Sequence, residues 1–457
     1  MPLSVVILAA GQGTRMKSAR PKVLHELAGK PLLQHVVDSS RLLEPEQIIV
    51  VVGHGAEQVQ AEMQGQGLNF VDQHQQLGTG HALQQCLDHI NTGNTVLVLF
   101  GDVPLIRAET LAAMIEQTGD AAVCILSFEP QDSFGYGRIL RQQNGVQAIV
   151  EQKDASPEQQ AIGECFSGIM MIRGDRLQQL VTALDNDNAQ KEFYLTDVVG
   201  IAVGNGDAVS AVICADPNEV SGVNNQAQLA EVEALYRAHQ AQALMEYGAK
   251  LYDPARIDIR GEVKAGKDVV IDVNCLFEGE VILGDNVRIG AGCVIRNTSI
   301  DAGSEILPMT WIDEAVIGRN VSIGPFARIR PGTELCDEAR IGNFVETKKA
   351  QIGNGSKVNH LSYIGDTEMG SGVNIGAGTI TCNYDGVNKS KTIIEDGVFI
   401  GSDTQLVAPV RVERNATVGA GSTITKNVPA DKLAISRAKQ VTISNWSKPV
   451  KKEKHKE

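Results

Sequence analysis

The sequence predicts an α/β protein with two unlike halves: a doubly wound α/β domain, then a long connecting helix, then a parallel β-helix of hexapeptide repeats. Three features predict this order. Short apolar runs recur before residue 225, residues 226–247 contain no glycine or proline, and aliphatic residues recur every six positions after residue 250. A chain of 457 residues has room for two or three domains. We expect the boundaries to lie at residues 1–225, 226–248 and 249–457.

The first half contains four apolar runs, at residues 5–10, 48–52, 96–100 and 121–126. Strands that are apolar on both faces suit a buried, mostly parallel sheet covered by helices. In such sheets the ligands bind beyond the carboxyl ends of the strands. We therefore expect the functional residues of this half to follow the strands.

Residues 226–247 form an unbroken helical pattern. Leu229, Val232 and Leu235 lie at roughly helical spacing, and Gly248 can cap the end of the helix. This stretch predicts one long helix that connects the two halves.

The aliphatic period of six in the second half matches neither an α-helix nor a β-strand. The longest series is Ile317, Ile323, Ile329, Leu335 and Ile341, and it breaks at Thr347. A hexapeptide repeat of this kind indicates a parallel β-helix. The period also fails at residues 381–389, which we interpret as an ejected loop with a functional or subunit-contact role.

Composition excludes some classes of function. Apolar residues make up 43% and charged residues 21%, which is typical of a globular protein, and the net charge of −14 argues against a general nucleic-acid or membrane binder. No apolar run approaches 18 residues, and the N-terminus does not resemble a signal peptide. The eight cysteines include no C-x-x-C pair, so we expect reduced thiols and a cytoplasmic protein.

The first apolar run leads into Leu-Ala-Ala-Gly-Gln-Gly-Thr-Arg-Met at residues 8–16, and Pro-Lys follows at residues 21–22. Glycines let backbone N–H groups approach phosphate oxygens, while Arg15 and Lys22 supply positive charge for a triphosphate. The motif is neither a dinucleotide-binding G-x-G-x-x-G nor a Walker loop, because it lacks the further glycines and the G-K-[ST] sequence.

This motif resembles that of the nucleotide-sugar pyrophosphorylases. The order of pyrophosphorylase half, long helix and hexapeptide solenoid resembles, over nearly the full length, the bacterial bifunctional N-acetylglucosamine-1-phosphate uridylyltransferase/glucosamine-1-phosphate N-acetyltransferase family. The resemblance implies a Rossmann-like nucleotidyltransferase domain and a left-handed β-helix that forms a homotrimer. It implies glucosamine 1-phosphate, N-acetylglucosamine 1-phosphate, UTP and acetyl-CoA as substrates and Mg²⁺ as cofactor. The implied product, UDP-N-acetylglucosamine, is a precursor of peptidoglycan and lipopolysaccharide.

The resemblance also implies the residues of the uridylyltransferase site. Arg15 and Lys22 would be catalytic, and Asp102 with Asn224 would hold Mg²⁺. Gln73 would contact uracil, because an amide can both donate and accept hydrogen bonds. The residues implied to bind UTP or the UDP-sugar are Leu8, Ala9, Ala10, Gly11, Gly13, Thr14, Lys22, Gln73, Gly78, Thr79, Gly101, Asp102, Gly137, Glu151 and Asn224.

Two positions depart from the family pattern. Phe100 stands where the family usually has Tyr, a change that preserves ring packing. Phe166 stands where the family usually has an Asn that contacts the sugar, and a phenyl ring cannot form a hydrogen bond with a sugar hydroxyl.

The acetyltransferase site is implied to lie in the solenoid. His360 resembles the general base, since imidazole suits proton transfer near neutral pH. Arg330 and Lys348 are 18 residues apart, so they would stack on successive coils and suit a phosphate. The residues implied to bind glucosamine phosphate are Arg330, Lys348, Tyr363, Asn374 and Lys389, and those implied near acetyl-CoA are Ala377, Asn383, Tyr384, Ser402, Ala420 and Arg437.

Two other classes of function stay open from the sequence. One is a single-activity nucleotide-sugar pyrophosphorylase whose β-helix is regulatory or architectural, and the other is a non-catalytic scaffold with the same two domains. The His360 region disfavours the first, while Lys22 and Asp102 disfavour the second. The tail at residues 441–457 carries Trp446 and five lysines, and we interpret it as a solubilising end or as a basic strap over an anionic ligand.

Overall fold

The structure is a computed structural model that describes residues 2–91, 93–142 and 145–451. The chain divides into two compact units, Met1–Gln240 with Ile259–Gly261, and Ala241–Asp258 with Glu262–Glu457. The division falls within the predicted connecting helix, which runs over Gln226–Glu246. None of the helices in the described ranges is both long and apolar enough to span a membrane.

The first unit is built on a nine-stranded mixed sheet with the main order β11-β7-β10-β6-β1-β4-β5. Its strands are β1 (Leu3–Leu8), β2 (Glu26–Leu27), β3 (Lys30–Pro31), β4 (Gln47–Val52), β5 (Asn69–Asp72), β6 (Thr95–Phe100), β7 (Val123–Phe128), β8 (Arg138–Gln142), β9 (Gly145–Val150), β10 (Cys165–Ile172) and β11 (Val209–Ile213), of which β2 and β3 form a separate hairpin. The α-helices are α1 (Leu32–Arg41), α2 (Ala56–Glu62), α3 (Thr79–Gln84), α4 (Ala108–Gln117), α5 (Pro157–Gln160), α6 (Gly174–Thr182), α7 (Asp197–Gly204) and α8 (Gln226–Glu246).

Both faces of this sheet are buried, as the apolar runs predict. In β1, Val5 and Ile7 belong to the core on one face, while Val6 and Leu8 belong to the core on the other. A central strand covered on both sides must be apolar at every position, which is why these runs do not alternate with polar residues.

The direction of β10 differs from the predicted parallel pattern. The β10 strand runs antiparallel to both of its neighbours, β6 and β7, and the hairpin of β8 and β9 is attached to it. The burial of β10 is nearly as complete as that of a parallel strand. Since burial sets the apolar pattern and the connections set the direction, the sequence pattern does not reveal this reversal.

The second unit is a left-handed parallel β-helix. One column of short strands is β12 (Lys250–Leu251), β14 (Val270–Ile271), β16 (Arg288–Ile289), β18 (Glu305–Ile306), β21 (Ser322–Ile323), β24 (Arg340–Asn343), β26 (Lys357–His360), β28 (Asn374–Ile375), β31 (Phe399–Ile400), β34 (Thr417–Val418) and β36 (Leu433–Ala434). A fourteen-stranded sheet contains β13 (Ile257–Ala265), β15 (Cys275–Leu283), β17 (Val294–Ile300), β19 (Trp311–Asp313), β20 (Ala315–Ile317), β22 (Arg328–Ile329), β23 (Thr333–Leu335), β25 (Glu346–Ile352), β27 (Tyr363–Met369), β29 (Ile380–Cys382), β30 (Thr392–Ile394), β32 (Gln405–Val407), β33 (Val410–Val412) and β35 (Thr423–Ile424).

The period of six follows from this architecture, because one aliphatic side chain per short strand points into the solenoid. Ile323, Ile329 and Ile341 are all almost fully buried. The break at Thr347 is not a structural break, since Thr347 is also fully buried in β25. Its hydroxyl forms a hydrogen bond with the hydroxyl of Thr333 at 3.2 Å. The ejected loop, predicted at residues 381–389, occupies residues 383–391 between β29 and β30, because residues 381 and 382 pair within β29. Most of the loop is exposed.

The paired threonines give a test of this interior. Thr347→Val leaves the buried Thr333 hydroxyl without its partner and should lower the free energy of unfolding of the solenoid by about 1–3 kcal/mol. Thr333→Val combined with Thr347→Val should recover most of that loss, because neither hydroxyl then needs a partner. Urea denaturation followed by circular dichroism measures the free energy of unfolding of both single variants and of the double variant. A loss in the double variant equal to the sum of the losses in Thr333→Val and Thr347→Val would contradict the pairing.

Candidate active sites

The first candidate site lies at the carboxyl ends of the central strands. Leu8 and Phe100 are register partners at the ends of β1 and β6, and Gly101 N–H donates to the Leu8 carbonyl at 3.0 Å. Gln73 N–H donates to the carbonyl of Val52, the last residue of β4, at 2.7 Å. The segments that follow three strands therefore meet at one edge of the sheet, as expected for an open α/β sheet.

A cavity of about 330 Å³ opens at this edge. Ten predicted residues line it: Leu8, Ala9, Ala10, Gly11, Lys22, Gln73, Gly78, Thr79, Asp102 and Asn224. The sequence analysis missed Val23, Ala82 and Glu192, which also line it. Glu192 is placed there by contacts of its neighbour Phe193 with residues far away in sequence. The Phe193 N–H donates to the Leu77 carbonyl, and the Phe193 carbonyl accepts from the Gly80 N–H. No sequence motif announces that contact.

The Lys22 ammonium is the centre of this site. It forms an ion pair with the Asp102 carboxylate and donates to the Asn224 side-chain oxygen at 3.2 Å. Arg15 Nη2 donates to the same oxygen of Asn224 at 2.8 Å. Two side-chain oxygens and two cationic groups thus converge, although Asn224 is about 200 residues from Arg15 and Lys22 in the chain.

Gly13 allows the loop to reach Lys22. Its φ angle is +62°, and a Cβ atom there would lie 2.9 Å from the Lys22 Cβ. Any other residue would meet both backbone strain and a clash at this point. Thr14 and Arg15 follow in a short 3₁₀ turn over Thr14–Met16. Gly13, Thr14 and Arg15 do not line the cavity themselves, but this turn places the Arg15 guanidinium on Asn224.

The segments that carry Asp102 and Asn224 are fastened to each other. Val223 N–H donates to the Asp102 carbonyl at 2.9 Å. Further along both segments, the Glu219 carboxylate is only 1% exposed and accepts from the Thr110 hydroxyl at 2.6 Å. The Arg107 guanidinium also donates to Glu219, and this contact raises the pKa of Arg107. These bonds hold the two oxygen donors at a constant separation.

Gln73 is a buried amide in the wall of the cavity. Its Nε2 donates to the Gly78 carbonyl at 3.0 Å and lies 3.0 Å from His81 Nδ1. Burial lowers the pKa of His81, which favours the neutral ring that can accept this bond. Gly78 has a φ angle of +109°, and a Cβ there would lie 2.5 Å from the Phe193 carbonyl oxygen. Only glycine fits this turn, which carries Thr79 into the cavity wall.

Gly137 and Glu151 lie together, outside the residues that line the cavity. A Cβ on Gly137 would be 3.8 Å from Glu151 Oε1 and 3.8 Å from the Phe166 Cβ. Glu151 accepts a hydrogen bond from the Thr196 hydroxyl at 3.1 Å, and burial raises the pKa of its carboxyl. Phe166 N–H donates to the Gly137 carbonyl at 2.9 Å, while the Phe166 side chain is buried in the apolar core with Ile149.

The second candidate site is a group of basic side chains on the solenoid, Arg330, Lys348 and Lys389, which we call the cation cluster. The positive charge of Lys389, followed by that of Arg330, lowers the pKa of Lys348. Parallel pairing of β22 with β25, continued by the bond from the Arg330 N–H to the Thr347 carbonyl at 2.9 Å, places Arg330 and Lys348 on successive coils, as the spacing of 18 residues predicts. Among the ion pairs of the described residues, Arg330 is the one member of this cluster with a carboxylate partner, Glu346 at 2.6 Å. Like charges held together in this way favour an anion.

The exposed loop at residues 383–391 brings Lys389 to this cluster. Tyr384 pairs with Lys389 across the loop, and Asp385 accepts hydrogen bonds from the backbone of Val387 and Asn388. Asn383 Nδ2 donates to Asp366 and lies 3.5 Å from the Tyr363 hydroxyl. The loop is therefore folded on itself and anchored to β27.

His360 lies at the end of β26, and its ring is exposed. Its Nδ1 lies 3.1 Å from the Asn343 side-chain oxygen, its register neighbour on β24. When Nδ1 donates to this oxygen, Nε2 is left with a free lone pair. Within the described ranges, the hydrogen-bond partner of this imidazole is Asn343 and not a member of the cation cluster. Asn374, in β28, lies in the same column of strands as His360, whereas the cation cluster is associated with the fourteen-stranded sheet.

Four of the residues predicted near acetyl-CoA form one column along the solenoid. Ala377, Ser402 and Ala420 occupy equivalent positions on successive coils, two residues after Ile375, Ile400 and Val418. Arg437 Nη1 then donates to the Ala420 carbonyl at 2.7 Å. The column presents small side chains and ends in a guanidinium.

Comparison with known proteins agrees with both halves. A model described as MobA-like NTP transferase domain matches residues 5–194, one described as GMPPB C-terminal domain matches residues 259–346, and one described as bacterial transferase hexapeptide (six repeats) matches residues 391–426. A bifunctional protein GlmU from Marinobacter nauticus is 54% identical over 451 residues, covering 98% of this chain and 99% of that protein. Another from Cupriavidus pinatubonensis is 54% identical over 453 residues, covering 99% and 100%.

Identity of this extent reaches from the phosphate-loop motif through the last hexapeptide coils. It confirms the prediction of a bifunctional enzyme with a uridylyltransferase and an acetyltransferase activity. The chain belongs to the family of bifunctional proteins GlmU.

Proposed function

We propose that each unit carries one of the two reactions. The solenoid acetylates glucosamine 1-phosphate with acetyl-CoA, and the first unit then transfers UMP from UTP to N-acetylglucosamine 1-phosphate. The observation that carries this proposal is the pair of charge clusters, one around Lys22 and one around Lys348. A single-activity pyrophosphorylase does not account for the second cluster.

In the first unit, a phosphate oxygen of N-acetylglucosamine 1-phosphate attacks the α-phosphorus of UTP. The bond to the β-phosphate breaks, and pyrophosphate leaves, so no covalent enzyme intermediate is needed. Arg15 and Lys22 bind the triphosphate and neutralise charge that develops on it. The Gln73 amide and the turn at Gly78 hold the uracil, while Gly137 and Glu151 contact the sugar. The predicted contacts of Gly101 and Thr14 complete the nucleotide site.

The oxygen donors at Lys22 fit Mg²⁺. Asp102 and Asn224 both contact one ammonium nitrogen, so their oxygens are close enough to share a cation. Among the residues that the structure describes, no group of three or more His, Cys, Asp or Glu side chains could hold a metal ion. Mg²⁺ commonly takes one or two protein ligands and completes its shell with phosphates and water. When bound, the ion would polarise the phosphoryl oxygens.

In the solenoid, the cation cluster binds the phosphate of glucosamine 1-phosphate, with Tyr363 and Asn374 as further contacts. His360 Nε2 accepts a proton from the substrate amine, whose nitrogen then attacks the thioester carbonyl of acetyl-CoA. The carbon–sulfur bond breaks, and the departing sulfur of coenzyme A takes up the proton from His360 and leaves as a thiol. Asn383 and Tyr384, with the column of Ala377, Ser402, Ala420 and Arg437, bind acetyl-CoA.

The proposal includes a homotrimer through the β-helix. The match of residues 391–426 to a hexapeptide-repeat transferase model supports an oligomer of this kind. The proposal also includes a cytoplasmic location, because UTP and acetyl-CoA are metabolites of that compartment.

A one-pot reaction tests the two activities. The protein should convert glucosamine 1-phosphate, acetyl-CoA, UTP and Mg²⁺ into UDP-N-acetylglucosamine, read by mass spectrometry. With Asp102→Asn the reaction sequence should end at N-acetylglucosamine 1-phosphate, because the substitution removes the charged metal ligand. His360→Ala should abolish acetylation while UMP transfer to added N-acetylglucosamine 1-phosphate continues.

Each variant contains its own control, since the untouched reaction reports on folding. Acetylation retained in His360→Ala would remove this residue as the base. Loss of both reactions in Asp102→Asn would show that the substitution acts on folding, and the separate-site assignment would then lack its support. N-acetylglucosamine 1-phosphate as the only product of the unmodified protein would contradict a functional first site.

The cation cluster predicts a pH dependence of glucosamine 1-phosphate binding. The lowered pKa of Lys348 means that it loses its proton at a lower pH than an isolated lysine. The KM for glucosamine 1-phosphate should therefore rise as the pH increases through this pKa. In Lys389→Gln, the largest source of repulsion is gone, so the rise should move to higher pH, while the KM at neutral pH should increase by about tenfold through loss of a phosphate contact.

Lys391→Gln is the matched control for this experiment. Lys391 is two residues away on the same loop but pairs with Glu368. Its KM profile should match that of the unmodified protein. An unshifted profile in Lys389→Gln would contradict the coupling between Lys389 and Lys348.

Because Phe166 stands where the family usually has a sugar-contacting Asn, we predict that this protein lacks one hydrogen bond to the sugar. Phe166→Asn would place an amide next to Gly137 and should lower the KM for N-acetylglucosamine 1-phosphate, although it also removes an apolar ring from the core. Phe166→Leu serves as the control, because it keeps the apolar character without adding a hydrogen-bonding group. Steady-state kinetics of uridylyl transfer give the KM for N-acetylglucosamine 1-phosphate in both variants. An unchanged KM in Phe166→Asn would show that the ring does not limit sugar binding.

A further inference from the structure

Arg138 is a buried arginine that the two reactions do not use. Its side chain is only 2% exposed, and it directly follows Gly137 at the start of β8. The guanidinium donates to the Ser133 hydroxyl at 3.1 Å, the Gln152 side-chain oxygen at 2.9 Å, the Gln160 carbonyl at 3.4 Å, and the Tyr136 carbonyl. All four acceptors are neutral, and none of the ion pairs in the described residues includes Arg138.

A buried guanidinium without a carboxylate is costly unless its hydrogen bonds are well satisfied. Here the bonds connect the segment that contains Gly137 with the segment that contains Glu151, the two residues proposed to contact the sugar. Gln152 Oε1 accepts from Arg138 and also from Gly135 N–H at 3.3 Å. Gln152 follows Glu151, so one guanidinium fastens the turn before Gly137 to the strand end that carries Glu151.

The hairpin of β8 and β9 has few backbone bonds to the rest of the sheet, although Ile139, Val146 and Ile149 pack into the core and Arg141 pairs with Glu164. Within the described residues, Arg138 and Cys165 form the one register pair between β8 and β10. Two further backbone bonds flank it, from Phe166 N–H to the Gly137 carbonyl and from Ile139 N–H to the Glu164 carbonyl. The Arg138 side chain therefore adds a polar anchor to the turn at residues 133–137, where the Tyr136 ring also packs against Phe128.

We infer that Arg138 is a positioning residue for the sugar phosphate in uridylyl transfer. It holds the backbone of Gly137 and the carboxylate of Glu151 at the separation that one sugar ring requires, and it does not touch the substrate itself. This inference rests on the proposed function, which assigns Gly137 and Glu151 to the sugar.

Arg138→Gln tests the inference, because it keeps some hydrogen bonding but removes the branched guanidinium. The KM for N-acetylglucosamine 1-phosphate should rise by about 10- to 100-fold, since displacement of contact groups by a fraction of an ångström carries such a cost. The KM for UTP should change by less than about twofold, because the Lys22 and Gln73 contacts stay in place. The KM for N-acetylglucosamine 1-phosphate of Arg138→Lys should lie between those of the unmodified protein and Arg138→Gln, since an ammonium reaches fewer of the acceptors.

Gln152→Ala probes the same connection from its other end and leaves Arg138 in place. It should raise the KM for the sugar phosphate in the same direction but by less. Arg141→Gln is the matched control, because Arg141 lies three residues further along β8 and pairs with the Glu164 carboxylate at 2.7 Å. It should leave both KM values unchanged.

An unchanged KM for the sugar phosphate in Arg138→Gln would overturn the inference, and so would an equal rise in the KM for UTP. Should Arg138→Gln fail to fold, Arg138→Lys and Gln152→Ala decide by the same comparison. Acetyl transfer by the same chain reports on the folding of the other unit throughout. Failure of the unmodified protein to form UDP-N-acetylglucosamine would instead count against the proposed function.

Discussion

Parallel β pairing in register is the constraint on which both candidate sites depend. In the first unit it sets Leu8 beside Phe100, so the segments that follow β1 and β6 begin at the same edge of the sheet. In the second unit it sets Ile329 beside Thr347, so Arg330 and Lys348 follow on successive coils. Parallel strands run in one direction, and their ends therefore gather side chains that are remote in sequence. Chemistry is then supplied by loops, while buried aliphatic residues keep the register constant.

The two sites use charge in opposite ways. At the end of β1, Lys22 is neutralised by Asp102 and supported by Asn224, so the cation is held in place before any phosphate arrives. On the solenoid, the positive charges of Lys348 and Lys389 repel each other, and a bound anion would relieve this repulsion. The first arrangement suits a site that must orient a triphosphate and a metal ion together. The second suits tight capture of a single phosphate, because binding relieves repulsion that is already present.

Much of the fold could be predicted because burial acts on every residue of a strand. The apolar runs predicted β1, β4, β6 and β7 within a few residues, and the period of six predicted the solenoid. The loop was predicted at residues 381–389 and lies at residues 383–391, because residues 381 and 382 belong to β29. The reversed direction of β10 was not predictable, since an apolar central strand reads alike in either direction. Thr347 looked like a break in the repeat, yet a partner hydroxyl from Thr333 lets it occupy an interior position.

The sequence by itself predicted the two-domain plan and the connecting helix, because periodicity is a property of neighbouring residues, whereas most of the site residues were implied by the resemblance to a known family. Only the tertiary structure decided that Lys22 contacts both Asp102 and Asn224, and that Glu192 joins the cavity wall. It also decided that Arg138 is buried between two segments 14 or more residues apart, fastening Gly137 to Glu151. Such contacts depend on the path of the whole chain, and no local pattern of residues encodes that path.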